Sequence, residues 1–314
     1  MPPKTTKPTD PTSAAKPAKT PRATKPKTTK IAGEAEVAKA PQAPKPPAKP
    51  APLKMGLITD IHFGTDKQYE GQDRKLSSRA LSLVRYLVNR MNGDIRPDFV
   101  VQLGDLIEDE DAETDEENYR TAIDAFKPLK MPMYHAVGNH EQVNLGLEKI
   151  HSMLNYPKLY YSFDAQAFHF VVLFSTSKAH TDIHVDAAQR KWLAEDLEAT
   201  DKPTVVFIHH PIDDQDLTGS FWFEKYPKHC FVEEKVEIRE TLARSGKVRA
   251  VFSGHVHRNN LQTHDGIHYI TVQSLVENMS DSRKVPSESY AIVTFGDDEI
   301  RVEIAGQDPA EYRF

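Results

Sequence analysis

Five short fragments carry the chemistry of this 314-residue chain: Asp60-Ile61-His62, Gly104-Asp105, Gly138-Asn139-His140-Glu141, His209-His210 and Gly254-His255-Val256-His257. Their side chains offer carboxylate, imidazole and amide donors, a set that suits manganese, iron or zinc better than calcium or magnesium. Each fragment alone has a plain reading: Asp-x-His is a common surface turn, His-His-Pro ends a strand, and Gly-Asn-His is a turn signal. Together they supply more donors than one tetrahedral zinc needs. Two ions that share a bridging carboxylate would use them all.

Such donors must be brought together by the elements before them. Met55–Thr59 and Phe99–Leu103 are apolar runs that close on Asp60 and Asp105, and Met133–Val137 closes on Gly138. Thr204–Ile208 and Arg249–Phe252 do the same for His209 and Gly254. In α/β folds ligands gather beyond the carboxyl ends of strands, so five strands ending in donors predict one shared centre. Between them, Arg74–Met91 repeats Leu76, Ala80, Leu83, Val84, Leu87 and Val88 at helical spacing. Asp186–Leu197 and residues 231–244 also read as helices, and Thr114 with Glu117 is a possible capping box for a helix to about Phe126. Leu159–Phe163 and Phe168–Phe174 form a strand pair, and the end is β-rich: Asn260–His264, His268–Val272, Tyr290–Phe295 and Glu299–Ile304. The fold class expected is α/β, a four-layer sandwich of two mixed β-sheets flanked by helices.

Composition divides the chain at about residue 54. Residues 1–54 hold 13 of the 22 prolines and 12 Lys/Arg against three acids, a net charge of +9; residues 55–314 carry −15. The first part is too poor in large apolar residues to offset the entropy of ordering and is expected to be a disordered basic tail. Residues 55–314 suffice for one large α/β domain. The tail offers contact with nucleic acid or an acidic surface, or is an inert extension. No apolar run approaches the roughly 20 residues of a membrane span, and no apolar signal segment opens the chain. Cys230 is the single cysteine. A cytoplasmic location is the expectation, and the sequence leaves oligomeric state open.

The ordered motifs resemble the calcineurin-like metallophosphoesterase superfamily, whose pattern runs D-x-H, G-D, G-N-H-[DE], H and G-H-x-H. The match spans about residues 55–260. The resemblance implies that Asp60, His62 and His257 hold a first metal ion, that Asn139, His209 and His255 hold a second, and that Asp105 bridges them. It gives His140 the catalytic role, protonating the leaving oxygen or stabilising charge on phosphorus. It implies a dinuclear Mn, Fe or Zn centre that lowers the pKa of a bound water for in-line attack on a phosphate ester. His210 is read as lying behind the donors or near substrate.

Other residues carry two readings each. His135 is a core or outer histidine, and Glu141 orients a neighbour or simply sits in a turn. His180 and His184 are read as solvated loop histidines. Phe221, Trp222, Phe223 and Tyr226 are read as folding a loop onto the core, with stacking on a nucleobase as the alternative. Glu108–Glu117, with eight acids in ten positions, is read as the solvated start of a helix that would repel a polyanion. The substrate expected is therefore a small phosphodiester or related ester. One alternative is an ADP-ribose/CDP-alcohol-type diphosphatase, which Val101-Gln102-Leu103-Gly104-Asp105 resembles although His62 stands where that branch usually has Gln. Another is a nuclease that holds nucleic acid with the tail, and a non-enzymatic scaffold is the third.

Overall fold

The computed structural model describes residues 51–314, apart from Ala179 and Asp297. The basic tail expected over 1–54 lies outside the described residues up to position 50. Strand β1 (Leu53–Ile58) is followed by the hairpin β2 (Gln68–Tyr69) and β3 (Gln72–Asp73), then α1 (Ala80–Arg90), β4 (Phe99–Gln102), α2 (Ala112–Phe126) and β5 (Met133–His135). Next come α3 (Asn139–Asn144), α4 (Leu147–Leu154), the antiparallel pair β6 (Tyr161–Ala165) and β7 (Phe168–Val172), and the hairpin β8 (Thr176–Lys178) and β9 (Thr181–His184). Helix α5 (Ala187–Ala199), β10 (Thr204–Phe207), α6 (Lys235–Ser245) and β11 (Val248–Ser253) complete the alternating part. The end is all strand: β12 (Asn260–His264), β13 (Ile267–Thr271), β14 (Tyr290–Phe295), β15 (Ile300–Ala305) and β16 (Ala310–Arg313).

These strands form two six-stranded sheets, ordered β16-β15-β14-β1-β4-β5 and β12-β13-β11-β10-β7-β6. Both are mixed. In the first, β1, β4 and β5 run parallel, with Leu57 opposite Val101 and Val101 opposite Tyr134. In the second, β7, β10, β11 and β13 run parallel. Alternation of side chains along each strand then decides the layers. Leu57, Val101 and Val293 of one sheet face Phe170, Phe207 and Phe252 of the other in a shared core. Phe170 lies 5.0 Å from Phe99 and 5.5 Å from Phe295, ring centre to ring centre. The opposite faces take the helices: Val84, Leu87 and Phe126 cover Ile58 and Val100, while Leu193, Leu197, Ile238 and Leu242 cover Val206 and Val251. The result is the expected four-layer sandwich of two mixed sheets flanked by helices.

Several boundaries differ from the sequence reading. The helix expected from Arg74 starts only at Ala80, after a 3-10 turn at Ser77–Arg79. Leu76 is held elsewhere, because its N–H donates to the Val276 carbonyl at 2.9 Å. Helix α2 is capped by Asp111, not by Thr114: the Asp111 carboxylate accepts from the N–H groups of Glu113 and Thr114 at 3.0 Å each. The acidic stretch is also not solvated throughout, since Glu108 and Asp115 are buried. The hairpins β2–β3 and β8–β9, the short helices α3 and α4, and the edge strand β16 are too short or too polar to have been read from periodicity. Among the described residues, no helix is long and apolar enough to cross a membrane.

Candidate metal centre

The parallel strands β1, β4, β5, β10 and β11 bring their carboxyl ends to one place, and the five motifs follow directly from them. The backbone then turns sharply. Asp60, His62, Asp105, His255 and His257 all have positive φ, between 46° and 69°. Such left-handed backbone costs roughly 1–2 kcal/mol per non-glycine residue. Five strained residues at one point indicate a geometry held by the surrounding fold. Two glycines make room. A Cβ at Gly138 would lie 2.1 Å from Asp105 Oδ1, and one at Gly254 would lie 2.4 Å from Asp60 Oδ2.

Two clusters of donors form. In the first, His62 Nε2 lies 3.0 Å from His257 Nε2, and His257 Nε2 lies 3.3 Å from Asp60 Oδ1. The remaining oxygen of Asp60 is occupied by Thr59 Oγ1 at 2.6 Å and the His255 N–H at 2.9 Å. In the second, His209 Nε2 lies 3.1 Å from Asn139 Oδ1 and 3.2 Å from Asp105 Oδ2. Asp105 Oδ2 is also 3.8 Å from His62 Nε2, so it faces both clusters. Its other oxygen accepts from the His140 N–H at 2.9 Å.

Three of the imidazoles are hydrogen-bonded from behind. His209 Nδ1 donates to the Leu103 carbonyl at 2.9 Å, His257 Nδ1 to Glu277 Oε2 at 2.7 Å, and His255 Nε2 to the His229 carbonyl at 3.0 Å. His62 Nδ1 faces Glu108 Oε2 at 3.2 Å. These partners set the tautomers of the neutral rings that a metal ion would require: His209 and His257 would then turn unprotonated Nε2 atoms inward, and His255 would be left with Nδ1. In the neutral rings these lone pairs would face one another at about 3 Å and repel. Two donors 2.1 Å from an ion and at right angles would be about 3.0 Å apart, so the spacing suits a bound metal ion. The same crowding shapes the metal-free titration. Burial opposes charge on His257, yet Asp60 and Glu277 raise it to about 9. Burial likewise opposes charge on His209, and Asp105 raises it to about 9. Burial, aided by Lys75, pushes His62 down to about 3; burial, aided by His209, does the same to His255. Burial disfavours the Asp105 carboxylate, but the surrounding imidazoles hold it well below the usual range.

His140 stands beside this array, not within it. Its Nε2 is 3.9 Å from Asp105 Oδ2, and its Nδ1 meets the Asp109 carboxylate. Burial works against the Asp109 charge, but His140 and His180 hold its pKa far below the usual range. Glu141 is buried and accepts from the Gly138 and Asp105 N–H groups at 3.1 and 3.2 Å, tying the two loops together. His210 is buried behind His255, with Nδ1 2.7 Å from Ser175 Oγ. His135 packs on Phe126 and Tyr156, outside the donor clusters.

Three readings change. His180 is not simply solvated: its Nδ1 accepts from Asn139 Nδ2 at 2.6 Å. His184 stays outside, paired with Glu234 at 3.1 Å. Trp222 and Phe223 pack on His257 and His255 and line a cavity of about 290 Å³ that opens on the donors. Glu108 is the largest omission. It meets Lys75 Nζ at 2.6 Å, His62 at 3.2 Å and Tyr69 Oη at 2.5 Å. Its place three residues after Asp105 was the only local signal. Lys75 and Glu277 carry no signal at all in sequence, because each reaches the centre from a distant segment.

With this fold and these donor clusters in place, the chain belongs to the calcineurin-like phosphoesterase family, whose family model matches residues 53–259. It is a metal-dependent phosphoester hydrolase. It is 27% identical over 224 residues to a probable cyclic nucleotide phosphodiesterase of Fibrobacter succinogenes, covering 70% of this chain and 78% of that one. It is 30% identical over 133 residues to the human manganese-dependent ADP-ribose/CDP-alcohol diphosphatase, covering 37% and 39% respectively. A dimetal phosphatase from Danio rerio shares the fold, with a TM-score of 0.67 at 17% identity, over 83% of this chain and 99% of that chain.

Proposed function

We propose that the chain hydrolyses a small phosphodiester at a two-ion centre. Asp60, His62 and His257 would hold one ion, Asn139, His209 and His255 the other, and Asp105 would serve both. The observation that carries this reading is the position of Asp105 Oδ2, which faces His209 Nε2 at 3.2 Å and His62 Nε2 at 3.8 Å. Ions of manganese, iron or zinc held there would supply a water of lowered pKa and positive charge for the phosphoryl oxygens. The protein's own part is to orient and to move a proton. His140 directs Nε2 toward the donors while Asp109 fixes Nδ1, which places a proton donor beside the departing oxygen. Trp222 and Phe223 keep one side of the cavity apolar and exclude water there.

The cyclic nucleotide phosphodiesterase relatives cover more than two thirds of this chain, which favours a small cyclic or diester phosphate as substrate. A diphosphatase of the ADP-ribose/CDP-alcohol kind is the second reading, favoured by the human relative over the shorter match. The test is a panel of 3′,5′-cyclic AMP, ADP-ribose, CDP-choline, glycerophosphocholine and bis(p-nitrophenyl) phosphate, each with Mn, Fe, Zn and Mg. Asp105→Ala and His140→Ala are run beside the wild type. Loss of metal is expected in the first, and about a 10²–10⁴-fold loss of turnover with metal retained in the second. If both variants hydrolyse bis(p-nitrophenyl) phosphate like the wild type, the assignment of the centre fails.

A further inference from the structure

The second donor cluster contains an amide, and an amide has two ends. Only the oxygen of Asn139 is a metal donor; its nitrogen is not. Asn139 Oδ1 lies 3.1 Å from His209 Nε2, on the side of the donors, while Nδ2 lies 2.6 Å from His180 Nδ1 on the other. An amide nitrogen can only donate, so His180 Nδ1 accepts and His180 Nε2 carries the ring proton. That nitrogen points to Asp109 Oδ2 at 3.7 Å, and the other oxygen of Asp109 meets His140 Nδ1. Asn139, His180, Asp109 and His140 thus follow one another as a line of polar groups, in which Asn139 and His180 are hydrogen-bonded.

His180 sits at the turn of the hairpin β8–β9, with φ of 63°. Gln142 of α3 also ties the hairpin segment to the residues around Asn139. Gln142 Nε2 donates to the Gly138 carbonyl at 2.7 Å and to the Ser175 carbonyl at 3.1 Å, and its Oε1 accepts from the Ser177 N–H at 3.0 Å. A part-exposed histidine is therefore delivered to a buried amide on a braced turn.

We infer that His180 is a positioning residue for the second ion: by accepting from Asn139 Nδ2, it keeps Asn139 Oδ1 turned toward the donors. Without an acceptor there, the amide can reverse and present its hydrogens to the ion. This inference rests on the reading of Asn139 as a donor to the second ion, and the experiment separates the two. Mn(II) binding to the full chain is measured by equilibrium dialysis. Electron paramagnetic resonance distinguishes a spin-coupled ion pair from isolated Mn(II). The variants are His180→Ala, His180→Asn and Asn139→Ala. In His180→Ala the second ion should bind about 10–100-fold more weakly, the range for loss of an outer partner, with the first ion little changed. The coupled signal should give way to an isolated one. His180→Asn keeps an acceptor near the Nδ1 position and should recover most of the lost affinity; a side chain needed only for packing would not be rescued in this way. If Asn139→Ala weakens the second ion but His180→Ala binds like the wild type, the role of His180 is refuted. It is equally refuted if His180→Asn is as weak as His180→Ala. If Asn139→Ala itself keeps two coupled ions, the two-ion assignment of Asn139 is wrong.

Discussion

Gly138→Ala adds one methyl group where the geometry leaves no space for it. The backbone of Gly138, φ −94° and ψ −169°, is extended and open to any residue, so the substitution brings no conformational penalty of its own. The new Cβ would sit 2.1 Å from Asp105 Oδ1, 2.4 Å from Asp105 N and 2.8 Å from Asp105 Cγ, where ordinary contact begins at 3.4 Å. Rotating the carboxylate relieves only the first of these. The 2.4 Å approach to a backbone atom forces one of the two loops to move by about an ångström. Asp105 faces both donor clusters, so the shift disturbs both. A misplacement of about 1 Å is worth roughly 100-fold in rate, or about 2.7 kcal/mol of transition-state stabilisation. The assay is kcat/KM for bis(p-nitrophenyl) phosphate with saturating Mn(II), alongside metal content and a thermal melt. Gly146→Ala is the control, because a Cβ there meets nothing within 4 Å. The control should match the wild type, and Gly138→Ala should lose about 100-fold while remaining folded. A Gly138→Ala enzyme with full metal content and kcat/KM within threefold of wild type would refute the close approach of these loops.

Glu277→Gln removes the carboxylate that takes the His257 Nδ1 proton at 2.7 Å; metal affinity by dialysis should fall about 10–100-fold, and an unchanged affinity would count against this partner. Chelation should abolish turnover and lower the melting temperature, and Mn(II) should restore both in a concentration-dependent way, because the ions bind the folded chain and not the unfolded one; a melt indifferent to Mn(II) would contradict it. Burial lowers His135 to about 4, so the unfolded chain takes up this proton first as pH falls. The stability this neutral ring contributes is present above about 6.5 and is lost as pH falls toward 4. Denaturant unfolding at pH 6.5 and 4.5 should therefore show a smaller loss for His135→Gln than for the wild type.

Much of the alternating half was legible because its signals are local. Apolar runs such as Phe99–Gln102 are buried on both faces and read as strands without tertiary information. The Gly246 stop of α6, with φ of 65°, needs only the sequence Ser245-Gly246. The start of α1 was misread because Leu76 fits the helical period but is bonded to Val276 instead. Glu108 was misread because an acid among eight acids looks solvated, and only its neighbours Lys75, Tyr69 and His62 make burial tolerable.

The sequence by itself determined the motif residues, their order and the strands that end at them, since residue type and period are properties of short segments. It thereby determined the family. What the tertiary structure decided is how those donors face. The Leu103 and His229 carbonyls and the Glu277 carboxylate select which imidazole nitrogen turns inward, and none of them is adjacent in sequence to the ring it orients. The wall made by Trp222 and Phe223, and the reach of His180 to Asn139, are likewise products of loops meeting in space. The motif residues are written in the chain. Tautomer, amide orientation and cavity shape depend on long-range contacts that exist only after the two sheets have packed.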